Sequence, residues 1–218
     1  MSRSLFAGAV LAAVLAATAA AAPGDPERRA INRQDQAWAK RANLRPRDVP
    51  AGFTATPSRA PRGNSSLTCA GFRPDLSDLT ITGQALSPIF QSSGITIFSS
   101  AEVYKSVHDE HEAWRRTARR EALGCVARML GNITASGVQV KVTSRVVRPA
   151  PRVGDRRVSF RITATIMGQG VDVPAWIDFQ AVARGRADAS LLVMTIRSAP
   201  SAPLERKLLT TLAQRLKR

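Results

Sequence analysis

The stretch that decides the fold is AEVYKSVHDEHEAWRRTARREALGCVARMLG, residues Ala101–Gly131. Apolar residues recur in it every three or four positions, which predicts one long helix with an apolar stripe along a single face. Either Ser99 or Ser100 can cap its start, and Gly124 is a position where it can kink or split. An apolar stripe of this kind must be buried against another element, such as a sheet. Its members are Val103, Val107, His111, Trp114, Ala118, Ala122, Cys125 and Met129.

Alternating apolar and polar residues on both sides of this helix supply the sheet. Patterns of helical period at Asp25–Asn43 and after Ser201 add a helix at each end of the chain. Because short Gly-containing links favour antiparallel neighbours, we expect an α+β fold. It is a mostly antiparallel sheet of about six strands packed against a long helix and N- and C-terminal helices. The predicted strands are Leu79–Ala85, Gly94–Phe98, Val138–Val146, Val158–Ile166, Val171–Arg184 and Ala189–Arg197.

The first 22 residues have the pattern of a secretory signal peptide. Arg3 gives a positive start, Leu5–Leu15 is an apolar core, and Ala21 or Ala22 completes a small-residue cleavage site. An uncleaved membrane anchor is the alternative, because the apolar run approaches the roughly 18 residues of a transmembrane helix. The sequence therefore predicts a secreted or cell-envelope protein, with membrane contact only through this segment if it is kept. Residues 23–66 then form an N-terminal helix and a Pro-rich linker, and residues 67–218 a single α+β domain.

The two cysteines, Cys69 and Cys125, are expected to form one disulfide, because exported proteins fold in an oxidising compartment. Two buried free thiols are the alternative. The chain-entropy estimate for closing a loop of this length is roughly 4 kcal/mol.

The formal charge of +16 comes mainly from arginine, with 27 arginines among the 32 basic residues. A surface of this charge attracts anionic partners, such as an acidic component of the cell envelope. Nucleic acid is not the expected partner, because the arginines are spread along the chain and aromatic residues are few. We expect a monomer that binds a small molecule or an anionic envelope ligand.

No group of residues in the chain has a catalytic signature, and we expect no cofactor. His108 and His111 lie three residues apart on the predicted helix, but two histidines without a third ligand do not predict a metal site. The candidate ligand-binding residues come from two predicted strands. Asp172, Trp176 and Asp178 share one face of Val171–Arg184, and Arg161 is on the outward face of Val158–Ile166. A solvated strand face, with Trp176 covered by a helix, is the alternative interpretation.

Three features connect the chain with a known group of proteins. They are the segment DVPAGF at Asp48–Phe53, one cysteine before the first long strand with the other in the helix, and RGRA at Arg184–Ala187 before the last strand. In their order they resemble small exported actinobacterial domains related to the extracellular sensor domain of mycobacterial serine/threonine kinases and to similar secreted lipoproteins. The resemblance covers about residues 40–218, and it departs in having one possible disulfide, no lipid-attachment cysteine and no kinase domain.

The resemblance implies the binding of an envelope ligand and transfers no functional residue. Our leading hypothesis is a secreted, non-catalytic, sensor-like binding module with a cleft between sheet and helix and an arginine-rich rim. A secreted hydrolase that acts on envelope material and a structural cell-wall protein held by charge are the alternatives. The hydrolase would need a pair of titratable groups with shifted pKa values inside the cleft.

Overall fold

The computed structural model describes residues 25–58, 67–132, 134–135, 138–168 and 171–217. The predicted signal peptide, residues 1–22, and part of the predicted linker lie outside the described residues. Within those described ranges, no helix is long and apolar enough to cross a membrane.

One mixed sheet of ten strands forms the centre of the fold. The strands are β1 (Arg28–Arg29), β2 (Thr54–Thr56), β3 (Thr80–Leu86), β4 (Ile89–Ser92), β5 (Ile95–Tyr104), β6 (Thr134–Ala135), β7 (Val138–Val147), β8 (Arg156–Gly168), β9 (Val171–Arg184) and β10 (Ala187–Ile196). Their order is β1-β3-β5-β10-β9-β8-β7-β6, and β4 pairs with both β5 and β2. In the part of the chain that the structure describes, four α-helices cover the sheet: α1 (Arg33–Ala42), α2 (Val107–Thr117), α3 (Arg120–Gly131) and α4 (Ala202–Arg215).

The α+β class is confirmed, and the predicted third strand of the second half matches β9 at both ends. The predicted number of about six strands is too low, because four short strands extend the sheet, and the sheet is mixed, since β1 pairs with β3 in parallel while the other pairs are antiparallel. Those four, β1, β2, β4 and β6, have two to four residues each. Runs so short contain too few residues to show an alternating pattern.

The prediction of one long helix over Ala101–Gly131 is also wrong. Its first residues, Ala101–Tyr104, are the end of β5, and the helical part is divided into α2 and α3 at Ala118 and Arg119 rather than at Gly124. Ser106 caps α2, since its Oγ accepts a hydrogen bond from the Asp109 amide at 3.0 Å.

The predicted apolar stripe fails on α2 for the same reason. Val107 is 56% exposed and His111 lies at the surface, while the buried positions are Glu110 and Ala113. Moving the helix start from Ala101 to Val107 changes which residues face the sheet, so the buried members of the stripe are Val103, which belongs to β5, and Ala122 and Cys125 of α3.

The N-terminal helix begins later than Asp25, the first residue of the predicted helix. Asn32 caps α1, and its Oδ1 accepts a hydrogen bond from the Asp35 amide at 2.9 Å. Asp25 instead forms a parallel bridge with Asp75, which places the chain before α1 at the edge of the sheet.

Helices α1 and α4 pack on one face of the sheet, which we call the α1–α4 face, and α2 and α3 pack on the other, the α2–α3 face. The largest core cluster lies on the α1–α4 face, where Trp38 of α1 and the leucines of α4 meet inward side chains of β5 and β10. Arg215 of α4 donates to both carboxylate oxygens of Asp48 at 2.7 Å, which fixes the end of α4 to the connection after α1. The leucines are Leu208, Leu209 and Leu212.

The disulfide between Cys69 and Cys125 is confirmed, and it joins the segment before β3 to α3. Arg128 of α3 supports the same contact, since its Nη2 donates to the Ala70 carbonyl at 2.7 Å. Cys125 is fully buried and packs with Phe72. The bridge therefore holds the edge segment and α3 on the α2–α3 face.

Gly83 is where α1 comes closest to the sheet. A Cβ built on Gly83 would lie 2.3 Å from the Asp35 carbonyl oxygen and 2.8 Å from the Gln36 amide nitrogen. Because these are backbone atoms of a packed helix, we expect Gly83→Ala to lower the free energy of unfolding by about 2 kcal/mol. Urea denaturation measures the loss. Gly131→Ala is the control, since a Cβ there meets nothing within 4 Å, and equal stability of the two variants would contradict the close approach.

Candidate functional site

The predicted residues Arg161 and Asp178 lie together on the α1–α4 face. Arg161 Nε donates to Asp178 Oδ1 at 2.6 Å and Nη2 donates to Oδ2, in a two-bond ion pair between β8 and β9. Arg148, after β7, donates to Asp178 Oδ2 at 2.6 Å and to Glu205 Oε2 of α4 at 3.3 Å. The Asp178 side chain has no exposed surface. These four residues form an internal ion-pair network that connects α4 to the sheet.

The other two predicted residues are more open. Trp176 is half-buried opposite Thr163 and Thr195, and it belongs to none of the buried core clusters of the described residues. Asp172 is exposed near the start of β9. Six residues of strand separate Asp172 from Asp178, about 20 Å, so the two carboxylates do not share a site.

The network contains a proton. Burial and a hydrogen bond with Asp178 raise the pKa of Glu205 to about 7. Burial alone would raise the pKa of Asp178 as well, but hydrogen bonds from Arg161 and Glu205 lower it. Below about pH 7, Glu205 therefore carries a proton that it shares with the Asp178 carboxylate, and the two arginines then face a single negative charge.

This assignment predicts a pH dependence of stability. A carboxyl whose pKa is raised on folding stabilises the fold fully below its unfolded pKa, and the stabilisation is lost as the pH rises through the folded value. For Glu205 that interval runs from its ordinary 4.5 to about 7. We expect the urea concentration at the midpoint of unfolding to decrease as the pH rises through this interval. Glu205→Gln, which mimics the protonated acid, should make this decrease smaller. Equal pH dependence in both proteins would contradict the shared proton.

Other arginines are used in the same way. Arg186 donates to Asp35 Oδ1 at 2.6 Å and lies over the Trp38 ring, 5.3 Å from its centre, and Arg116 pairs with Asp78 at 2.5 Å. Hydrogen bonds from Arg186 lower the pKa of Asp35. Part of the arginine content is therefore structural, and it does not form an open rim around a site.

A different site lies on the α2–α3 face, between the two helices. Under α2, Tyr104 is 2% exposed, and under α3, Ile177 and Met194 are each 6% exposed. Val158 and Leu192, on the neighbouring strands, are half-buried and pack against the cluster under α3.

Other side chains on this face, between the residues under α2 and those under α3, are half-buried or exposed. Phe179 is 36% exposed and stacks on Phe160 with 6.3 Å between the ring centres. The Ser100 and Ser190 hydroxyls, 2.7 Å apart, hydrogen-bond across β5 and β10. We call this surface the α2–α3 groove, with a floor of half-buried or exposed side chains. They are Phe98, Ser100, Val158, Phe179, Ser190 and Leu192.

One end of the groove is acidic. Glu102 of β5 and Asp188 of β10 are direct cross-strand partners. Glu102 accepts hydrogen bonds from Gln84 Nε2 at 2.6 Å and from the Tyr104 hydroxyl at 3.1 Å. Both donors are neutral, and opposed carboxylates in an antiparallel pair repel each other.

The pKa values at this end reflect burial and like charge. Burial, with Glu102 and Glu27 nearby, raises the pKa of Asp188 well above its usual range. The same two effects raise the pKa of Glu27 to about 7, with burial the larger. Arg156 lies close enough to Asp188 to favour its ionised form, but Arg156 is ion-paired with Glu110 of α2.

Sequence reasoning did not find Glu102 and Asp188. Two signals in the sequence could have indicated that Glu102 lies on a strand rather than on the helix. The alternation of β5 continues from Ile97 through Ala101 to Val103, and Ser106 with Asp109 has the spacing of a helix-capping box. Asp188 lies one residue before the predicted strand Ala189–Arg197, but the turn is Gly185 and Arg186 alone, and β10 begins at Ala187.

Within the described residues, no group of three or more histidine, cysteine, aspartate or glutamate side chains is arranged to hold a metal ion. His108 and His111 both lie at the surface of α2. No protein-family model matches the chain, and no curated protein matches it. The resemblance to exported sensor domains stays a prediction.

Proposed function

We propose that this protein is an exported, non-catalytic binding module whose ligand lies in the α2–α3 groove. The observation that carries the proposal is the partly open apolar floor, where Phe179 is 36% exposed, on the same face of the sheet as the carboxyls of Glu102 and Asp188. Concave apolar surfaces with a few converging polar groups and perturbed pKa values are typical of ligand sites.

The rest of the molecule supports this assignment. The groove floor belongs to four central strands, and α2 and α3 are held beside it by the Glu110–Arg156 ion pair and by the disulfide. A floor on rigid strands keeps its shape without a ligand, which reduces the entropic cost of binding. The disulfide is also compatible with export.

A polarity-sensitive dye tests the proposal. Nile red should bind the full mature chain with an increase in fluorescence, and Phe179→Ser should weaken its binding, because it removes the most exposed apolar side chain of the floor. Val107→Ser is the matched control, since Val107 is 56% exposed on α2 outside the groove. Absence of dye binding, or equal loss in both variants, would count against the groove.

A hydrolase acting on envelope material is the second candidate, and one observation favours it. The raised pKa of Asp188, beside the Glu102 carboxyl, would keep Asp188 protonated near neutral pH, as a general acid must be. Release of nitrophenol from nitrophenyl glycosides and esters, abolished in Asp188→Asn, would support the enzyme over the binding module.

A further inference from the structure

We infer that a second binding surface lies on the α1–α4 face of the sheet and takes an acidic oligosaccharide, with a sugar ring stacked on Trp176 and sugar carboxylates at Lys141 and Arg197. This surface lies outside the proposed function, because it and the α2–α3 groove are on opposite sides of the sheet. We call it the Trp176 face, and its members are outward side chains of β7, β8 and β9. They are Lys141, Ser144, Thr163, Thr165, Pro174 and Trp176.

The Trp176 face is open because the helices on this side of the sheet pack elsewhere. Helix α1 packs on β3 and β5, and α4 packs on β10 and, at Asp178 and Val182, on β9. On the other side of β7 and β8, α3 covers the buried side chains of Val140 and Ile162. Every member of the Trp176 face is instead half-buried or exposed.

Trp176 is the member that a solvated strand face does not explain. Its ring stands beside Thr163 of β8, half-buried, and its indole N–H donates to no residue of the described ranges. Large aromatic side chains are mostly buried, and a buried tryptophan N–H usually finds a partner. A flat ring held at the surface with a free donor can stack on the C–H face of a sugar ring and donate to a sugar hydroxyl.

Hydroxyl groups lie next to the ring. Ser144 and Thr163 continue the row of Trp176 across the sheet, and Thr165 lies beside Pro174 in the next row. These three hydroxyls have no hydrogen-bond partner among the residues that the structure describes. Because a hydroxyl both donates and accepts, a row of them matches the hydroxyls of a sugar chain.

Two cations set the sign of the ligand's charge. Lys141 ends the Pro174 row on β7, and on the other side of β9 the Arg197 amide donates to the Pro174 carbonyl at 2.8 Å. Both side chains are exposed, and neither forms an ion pair with a described residue. From the strand spacing, Lys141 is about 12 Å and Arg197 about 8 Å from Trp176 between Cα atoms. Carboxylates on a stacked sugar chain would complement these charges.

The neighbouring charges leave this positive potential in place. Asp172, one row beyond Pro174, is a single exposed acid. In the row on the other side of Trp176, Arg148 and Arg161 face a single negative charge below about pH 7. The surroundings of Trp176 therefore favour an anion.

The backbone of Arg197 is a separate observation. Its φ is 73°, and within the described ranges it is the one residue other than glycine with a positive φ. Glycine or asparagine adopts this conformation with less strain, so an arginine here indicates that its side chain is used.

Isothermal titration of the full mature chain with oligogalacturonate, and with a maltooligosaccharide of the same length, tests the inference. We expect the neutral sugar to bind about tenfold more weakly, because it lacks the charge-assisted contacts. Trp176→Ala should weaken oligogalacturonate binding about tenfold. Trp114→Ala, which removes a half-buried tryptophan of α2, is the matched control and should bind normally. Lys141→Gln should reduce the preference for the acidic sugar, and Lys105→Gln, at another exposed lysine, should not.

The inference is overturned if neither sugar binds, if both bind equally, or if the two tryptophan variants lose binding equally. Should Trp176→Ala not fold, the lysine variants decide, because both positions are exposed. An equal preference in Lys141→Gln and Lys105→Gln would then contradict the site. Tighter binding of a thymidine oligonucleotide than of oligogalacturonate would assign the face to nucleic acid instead. Nile red reports on the α2–α3 groove separately, so either proposal can fail alone.

Discussion

Arg161→Met should lower the free energy of unfolding by about 3 kcal/mol, because it leaves the Asp178 carboxylate buried without its main partner. The Asp178 side chain has no exposed surface and takes two hydrogen bonds from Arg161. The expected loss lies at the lower end of the range for breaking a buried pair, since Arg148 still donates to Asp178 at 2.6 Å. Methionine keeps most of the length of the side chain.

For a chain of this size the loss corresponds to a decrease in Tm of about 6–12 °C. Arg157→Met is the control, because Arg157 is exposed on the same face of the same strand and forms no ion pair with a described residue. Its Tm should stay close to that of the wild type. If both variants melt together, the ion pair contributes little to stability.

The disulfide should have the largest single effect on stability. Cys69 and Cys125 are 56 residues apart, and closing a loop of that length restricts the unfolded chain by roughly 4 kcal/mol. We expect Cys69→Ala/Cys125→Ala to lower Tm by about 8–16 °C. Differential scanning calorimetry of the mature protein measures it.

Melting the wild type and the double variant in reductant is the matched control experiment. The wild type in reductant should melt near the double variant, and the variant itself should not respond to reductant. A wild type that keeps its Tm when both thiols are free would show that the packing of α3, rather than the cross-link, holds this region.

The sequence was most informative where a strand is long enough for its period to be read. Over Val158–Ile166 and Val171–Arg184 the alternation identifies both strands, because one side of each must face a core. It does not indicate that Arg161 and Asp178 pair with each other, because that ion pair depends on the register between the strands.

The misplaced helix start shows what local patterns leave open. Ala101–Tyr104 is compatible with either a strand or a helix, and pairing with β10, more than eighty residues later, decides for the strand. That same pairing places Glu102 opposite Asp188, so the acidic end of the groove could not be predicted before the register was known. The break between α2 and α3 lies at Ala118 and Arg119, where the sequence has no Gly or Pro to indicate it.

Thiol labelling tests the central claim of an open groove most directly. With both native cysteines in the disulfide, Ser190→Cys places one free thiol on the groove floor, and Ser159→Cys places one on the opposite face, where Ser159 is 2% exposed. We predict that folded Ser190→Cys reacts with a small neutral maleimide much faster than folded Ser159→Cys, as measured by mass spectrometry over time. If Ser190→Cys reacts no faster than Ser159→Cys, the floor between α2 and α3 is closed and the account is contradicted.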